Sequence, residues 1–154
     1  MEPVILRRIA RLAACGMGIG RTPLAPGTAA AGLATVIGGG LMLGPAWVLP
    51  AAAAAASLGG LWAVRVARVE GDPGWVVIDE VAGQWIALLG LSQPTSLGLL
   101  AAFALFRLLD ITKLGPVGWA DRQHGPLGIM ADDLFAGALA AAVLWAIRLW
   151  WPSL

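Results

Sequence analysis

Long apolar runs dominate the hydrophobic pattern of the chain, and short groups of glycine, proline and polar residues separate them. A helix needs about 20 apolar residues to cross the hydrocarbon core of a bilayer, and shorter helices are accommodated by local thinning. The pattern therefore predicts five membrane-embedded helices, some of them short. Their predicted ranges are Thr28 to Leu43, Trp47 to Val64, Trp75 to Leu91, Ser96 to Ile111 and Asp133 to Trp150.

The segment from Val4 to Ala14 has a different pattern, because its apolar residues alternate with arginines at helical spacing. This spacing is typical of an amphipathic helix that lies in the membrane interface. We expect the whole chain, residues 1–154, to form one all-α domain. It would be a polytopic membrane bundle of about five helices, preceded by this interfacial helix.

Composition supports a membrane protein. Hydrophobic residues make up 59% of the chain and charged residues only 12%, and the mean hydropathy is +0.82. These values lie far outside the averages of soluble domains. The formal net charge of +1 carries no information about partners. We expect the membrane as partner and no nucleic acid.

The basic residues predict the orientation of the bundle, because short cytoplasmic loops hold an excess of Lys and Arg. Five spans place eight of the ten basic residues on the N-terminal side. The N-terminus is therefore expected in the cytoplasm. These eight are Arg7, Arg8, Arg11, Arg21, Arg65, Arg68, Lys113 and Arg122, whereas Arg148 is alone on the opposite side.

Five of the nine acidic residues lie inside or at the edge of apolar runs, where an ionisable group is expensive and usually functional. In the predicted topology all five come to the cytoplasmic face. Clustered carboxylates repel one another unless a cation neutralises them, and Mg²⁺ prefers such hard oxygen ligands. We therefore expect metal ligands or a water-activating base among Asp79, Glu80, Asp110, Asp132 and Asp133.

Phosphate-binding groups accompany these acids. Arg107 and Lys113 each lie three residues from Asp110, on one helix face, and a guanidinium can hold a phosphate with two parallel hydrogen bonds. Gly27 and Thr28 begin the first predicted span, and the free N–H groups of a helix start bind anions. Together these groups indicate phosphoryl chemistry at the membrane surface.

The same residues form motifs that resemble the phosphatidylglycerophosphatase A family, over roughly residues 20–141. Members are bacterial Mg²⁺-dependent enzymes that remove the terminal phosphate from phosphatidylglycerol phosphate. The resemblance implies an α-helical inner-membrane protein of phospholipid synthesis that acts on its phospholipid substrate at the cytoplasmic side. The motifs are Asp79-Glu80-x-x-Gly83, Phe106-Arg107-x-x-Asp110-x-x-Lys113, Asp132-Asp133-x-x-Ala136-Gly137 and Pro26-Gly27-Thr28.

Carried over by position, the resemblance makes the five acids candidate metal ligands or a base, and makes Arg107 and Lys113 phosphate-binding residues. The chain departs from the family pattern at two places. Leu114 stands where the family has proline, and Ala30-Ala31 stands where the family tends to have Gly-Ser. We expect the first change to alter how the fourth span ends rather than the chemistry.

The sequence leaves two interpretations open for the role of several residues. His124 is either an acid for the leaving group or a solvated loop residue. Asp132 or Asp133 is either a ligand or a helix cap, and Arg107 either binds phosphate or only pairs with Asp110. The alternative function is a small ion-coupled membrane transporter that uses the carboxylates. The number of metal ions and the oligomeric state do not follow from the sequence.

Overall fold

A computed structural model describes residues 4–151 of the chain, and within this range it contains helices and no β-strand. A 3₁₀ segment at Gly16–Arg21 joins the first two helices. The α-helices are α1 (Val4–Ala14), α2 (Pro26–Leu41), α3 (Val48–Ala67), α4 (Ile78–Leu88), α5 (Ser96–Thr112), α6 (Pro116–Asp121) and α7 (Gly125–Trp150).

Helix α4 is short but central, because it packs against α2, α3, α5 and α7. Its most extensive contact is with α7. Small residues allow this packing, since helices in a membrane approach closely where their side chains are small. Phe106 of α5 is fully buried beside this contact, in a cluster with the alanines Ala31, Ala87, Ala136 and Ala140.

Two glycines bring the backbones of α4 and α7 into direct contact. A Cβ atom on Gly137 would collide with the carbonyl of Gly83, and one on Gly83 would lie 2.6 Å from the Phe106 ring. Asp79 and Asp133 each precede one of these glycines by four residues, which is one helical turn. The glycine contact therefore holds these two carboxylates side by side.

Helix α7 begins earlier than the sequence predicts. Between the fourth and fifth predicted spans, residues 115–131 contain α6 and the first two turns of α7, because Gly125-Pro126 starts a helix there, with proline in its first turn. Asp132 and Asp133 are consequently in the third turn of α7. The reading of either one as a helix cap is wrong.

Helices are present at all five predicted spans, but only α3 and α7 are long and apolar enough to cross a membrane among the helices described. Helices α2, α4 and α5 have 16, 11 and 17 residues, and 11 residues rise only about 16 Å. The bundle is thus all-helical with two candidate spans, where five were expected.

The predicted amphipathic helix is present as α1. It packs against α3, with Ala10 and Ala14 fully buried. Val4, Ile5, Ile9 and Leu12 are exposed apolar residues on this helix. An interfacial position for α1 remains a prediction.

We expect the substitution Gly137→Ala to destabilise the bundle, because the added methyl group has no space against the Gly83 backbone. Overpacking of this kind costs about 1–3 kcal/mol, so the thermal midpoint in detergent should fall by several degrees. Gly59→Ala is the matched control, since a Cβ at this α3 position meets nothing within 4 Å. Equal midpoints for the two variants would contradict the proposed backbone contact.

Candidate active site

Three helices bring the five carboxylates together at one end of the bundle. Asp79 and Glu80 lie in the first turn of α4, and Asp110 lies near the end of α5. Oxygens of Asp79, Glu80 and Asp133 all lie within 4.8 Å of one another, and so do oxygens of Asp110, Asp132 and Asp133. Asp133 belongs to both groups and is therefore the centre of the cluster.

The carboxylates are buried and only partly satisfied. Asp79 and Asp132 are each 5% exposed, and Asp133 is 3% exposed. Glu80 Oε2, Asp132 Oδ1 and Asp133 Oδ1 are buried without a hydrogen-bond donor among the described residues. A buried carboxylate oxygen without a partner is costly, and a hard cation with oxygen ligands would satisfy several at once. The residues therefore fit a metal ion.

Lys113 partly neutralises the cluster. Its ammonium donates to Asp110 Oδ1 at 3.0 Å and also to Asp132, and it lies 3.6 Å from Asp121. Burial lowers the pKa of Lys113, but the carboxylates of Asp132 and Asp110 outweigh it and hold the pKa above its ordinary value. Lys113 is therefore a protonated bridge between α5 and α7, and it shares its donors with carboxylates.

The backbone at Lys113 is also unusual. Lys113 follows the last residue of α5 in the left-handed conformation, with φ 51°, which favours glycine and costs other residues about 1–2 kcal/mol. A lysine at this position is explained by its side chain, since this backbone turn carries the ammonium toward the two neighbouring acids.

The start of α2 lies against the cluster. A Cβ on Gly27 would collide with the Glu80 carboxylate and would lie 3.4 Å from Arg107 Nη1. The N–H groups of Gly27 and Thr28 are free of helical bonds because they are in the first turn, and no side chain caps this start. Such a helix start, beside a guanidinium, is suited to bind an anion.

Arg107 is paired with Asp110 but keeps donors that have no acceptor. It donates to Asp110 through Nη1, and its side chain is 15% exposed. Its Nε is buried without an acceptor among the described residues. The pair with Asp110 is therefore real, but it does not use all the donors of the guanidinium.

His124 lies just before α7, is exposed, and lines a cleft of about 780 Å³ between the α3–α4 loop and the α6–α7 turn. Among the described residues, no hydrogen bond or ion pair joins it to the five acids. The structure places it in this cleft, and its role as an acid stays a prediction.

Sequence reasoning missed two residues. Asp72, in the α3–α4 loop, lines the same cleft as His124. Desolvation raises its pKa first and the charge of Asp132 raises it further, while Lys113 lowers it. Asp72 was missed because Gly-Asp-Pro-Gly is typical of a turn. Gln84 is fully buried with no partner for its amide; its spacing of four from Glu80 in an apolar helix was the available signal.

The sequence profile of the family described as "PgpA: Phosphatidylglycerophosphatase A" matches residues 12–148, a range that includes all five acids. The chain belongs to this family. It is 36% identical over 146 residues to phosphatidylglycerophosphatase A of Escherichia coli, covering 92% of this chain and 84% of the relative. No solved structure matches the chain.

Two further relatives are similar. A "putative phosphatidylinositol-3-phosphatase" of Bacteroides thetaiotaomicron is 37% identical over 147 residues, covering 86% of this chain and 91% of the relative. Phosphatidylglycerophosphatase A of Haemophilus influenzae is 40% identical over 80 residues, covering 51% of this chain and 49% of the relative. The family resemblance is confirmed, and the chain is a phosphatase of phospholipid metabolism. The transporter alternative has no support.

We expect Mg²⁺ to raise the thermal midpoint of the protein, since a ligand at 100 times its Kd stabilises by about 2.7 kcal/mol. Asp133→Asn should lose most of this shift, because Asp133 belongs to both carboxylate groups. It should also raise the metal-free midpoint by removing like-charge repulsion. Glu70→Gln, an exposed residue of the α3–α4 loop outside both groups, is the control. An unchanged Mg²⁺ shift in Asp133→Asn would exclude the cluster as the metal site.

Proposed function

We propose that this protein hydrolyses the terminal phosphomonoester of phosphatidylglycerol phosphate to phosphatidylglycerol and inorganic phosphate, with Mg²⁺ as cofactor. The observation that carries the proposal is the meeting of two carboxylate groups with Arg107 and the uncapped start of α2. Metal ligands and anion donors are thereby side by side. Family membership makes a lipid phosphomonoester the fitting substrate.

The two carboxylate groups offer two adjacent sets of ligands. Asp79, Glu80 and Asp133 form one set, and Asp110, Asp132 and Asp133 form the other. A bound Mg²⁺ would supply Lewis-acid stabilisation of a phosphoryl oxygen and would lower the pKa of a coordinated water. Asp133 would be a ligand in either set, because its carboxylate is common to both.

The donors of the site would hold the phosphate. A dianionic phosphomonoester would accept hydrogen bonds from the free N–H groups of Gly27 and Thr28 and from the unused donors of Arg107. Such charge-assisted hydrogen bonds are stronger than neutral ones. Lys113 contributes mainly by neutralising Asp110 and Asp132. Repulsion between the acids and the phosphate is thereby reduced on the α5 and α7 side.

Hydrolysis requires a proton to leave the attacking water and a proton to reach the glycerol oxygen as its bond to phosphorus breaks. We assign the first to Glu80, because it lies beside Gly27 and its Oε2 has no hydrogen-bond donor among the described residues. His124 is the candidate to donate the second from the cleft. Geometry within hydrogen-bond reach of the substrate decides such roles.

We further propose that the protein resides in the bacterial inner membrane as a multi-pass bundle. Helices α3 and α7 would span the membrane, the shorter α2, α4 and α5 would pass through it beside them, and the N-terminus and active site would be on the cytoplasmic side. The excess of basic residues on the N-terminal side supports this orientation. The lipid tails would then leave the site sideways, between helices, into the cytoplasmic leaflet.

Asp79→Asn and Asp110→Asn are expected to abolish most phosphate release from phosphatidylglycerol phosphate in detergent with Mg²⁺. Each amide keeps the size of the side chain but removes the charge that binds the cation. Both variants should still insert and purify, and Glu70→Gln should keep full activity. Full activity in both Asn variants would show that the carboxylate cluster does not carry the reaction.

Arg107→Lys should lower kcat/KM by about 10- to 100-fold, because lysine keeps the charge but loses the planar fork. The matched control is Arg148→Lys. Arg148 donates to the Gly90 carbonyl at 3.0 Å and lies near the end of α7, whereas Asp132 and Asp133 lie near its start. Phosphate release measured against substrate concentration separates the two variants. Wild-type kinetics in Arg107→Lys would mean that Arg107 serves only its pair with Asp110.

A further inference from the structure

The cleft beside the acidic cluster has no role in the chemistry above apart from His124. Its volume of about 780 Å³ is within the range of small-molecule sites. The α3–α4 loop forms one wall, with Glu70 and Asp72. The α6–α7 turn forms the other, with Asp121, Gln123 and His124.

The cleft adjoins the active site through the contact between Lys113 and Asp121. Lys113, which bonds Asp110 and Asp132, lies 3.6 Å from Asp121 at the wall of the cleft. The Asp121 side chain is 45% exposed, so one lysine separates the metal-binding acids from the open space. Desolvation raises the pKa of Asp72 and the charge of Asp132 raises it further, as expected for a carboxyl group close to the cluster.

The charges of the residues that line the cleft indicate which kind of chemical group it can bind. Glu70, Asp72 and Asp121 are hydrogen-bond acceptors when ionised, and these three acids outnumber the basic Arg122 in the lining, so a second anion is disfavoured. Asp72 has no hydrogen bond or ion pair with any residue of the described range. The group that such a carboxylate binds well is a hydroxyl, so the cleft suits a polyol rather than a second phosphate.

The relatives act, by their names, on phosphatidylglycerol phosphate and on a phosphatidylinositol 3-phosphate. Both headgroups carry a hydroxyl on the carbon next to the phosphorylated carbon. Phosphatidic acid, also a lipid phosphomonoester, carries an ester there instead. A carboxylate near the phosphate site can therefore distinguish the first two lipids from the third.

We infer that the cleft is the polyol subsite of the enzyme and that Asp72 determines specificity by accepting a hydrogen bond from the hydroxyl adjacent to the phosphomonoester. The inference rests on the proposed function. Asp72 then acts on substrate choice, and the five acids of the cluster act on the phosphate.

The test compares two lipids in mixed micelles at fixed Mg²⁺: phosphatidylglycerol phosphate and its analogue with hydrogen in place of the central headgroup hydroxyl. The wild-type protein should prefer the hydroxyl lipid by about 10- to 100-fold in kcat/KM, as expected for a hydrogen bond to a charged group. Asp72→Ala should lose this preference by slowing only on the hydroxyl lipid. Asp72→Asn should restore part of it, because the amide oxygen still accepts a hydrogen bond.

Gln93→Ala is the control, since Gln93 is an exposed polar residue of the α4–α5 loop outside the cleft; it should keep the wild-type preference. A retained preference in Asp72→Ala, or an equal loss on both lipids, overturns the inference. Equal wild-type rates on both lipids overturn the inference alone. No phosphate release from either lipid overturns the proposed function and the inference with it. Thermal midpoints with and without Mg²⁺ verify that each variant is folded and binds metal.

Discussion

The contact between the backbones of α4 and α7 is the constraint on which the rest of the site depends. There is no space for side chains at Gly83 and Gly137, so the two helices lie closer than ordinary side chains allow. Asp79 and Asp133, each one turn before its glycine, are brought close together as a result. Close packing of small residues is the usual way for membrane helices to associate. In this protein it also sets the spacing of the carboxylates, so a stabilising contact and a ligand geometry have the same cause.

Five carboxylates in one place repel one another, and the basic residues of the bundle only partly offset this repulsion. Arg107 and Lys113 supply two positive charges, and both contact Asp110. Asp79, Glu80 and Asp133 have no basic partner among the salt bridges of the described residues. The uncompensated charge is concentrated on the α4 side of the cluster, where the start of α2 also lies. A divalent cation on this side would compensate the charge most effectively.

The sequence predicted the helical class and the convergence of all five acids, because helix direction and the position of each acid in its apolar run are both local properties. The sequence-based prediction was incomplete where the role of a residue depends on contacts that only the folded chain makes. Asp132 and Asp133 were open to a capping role because the residues before them are polar enough to suggest a loop, yet Gly125-Pro126 starts α7 two turns earlier. Asp72 lies in a turn motif, and only the fold places that turn beside the site. Helices α2, α4 and α5 are also too short to count as candidate spans, which leaves two of the five that were expected.

Helix direction explains how such a site is tolerated at one end of the bundle. Helices α2 and α4 both begin there, so their partly positive ends, with free N–H groups, lie near Glu80 and Asp79. Helix α5 ends there, and its partly negative end is met by Lys113 in the residue that terminates it. The same fields that stabilise carboxylates also stabilise a phosphate. Helix polarity, a lysine in a strained turn and a cation therefore act on one region, and each reduces the repulsion that would otherwise keep an anionic lipid headgroup away from five acids.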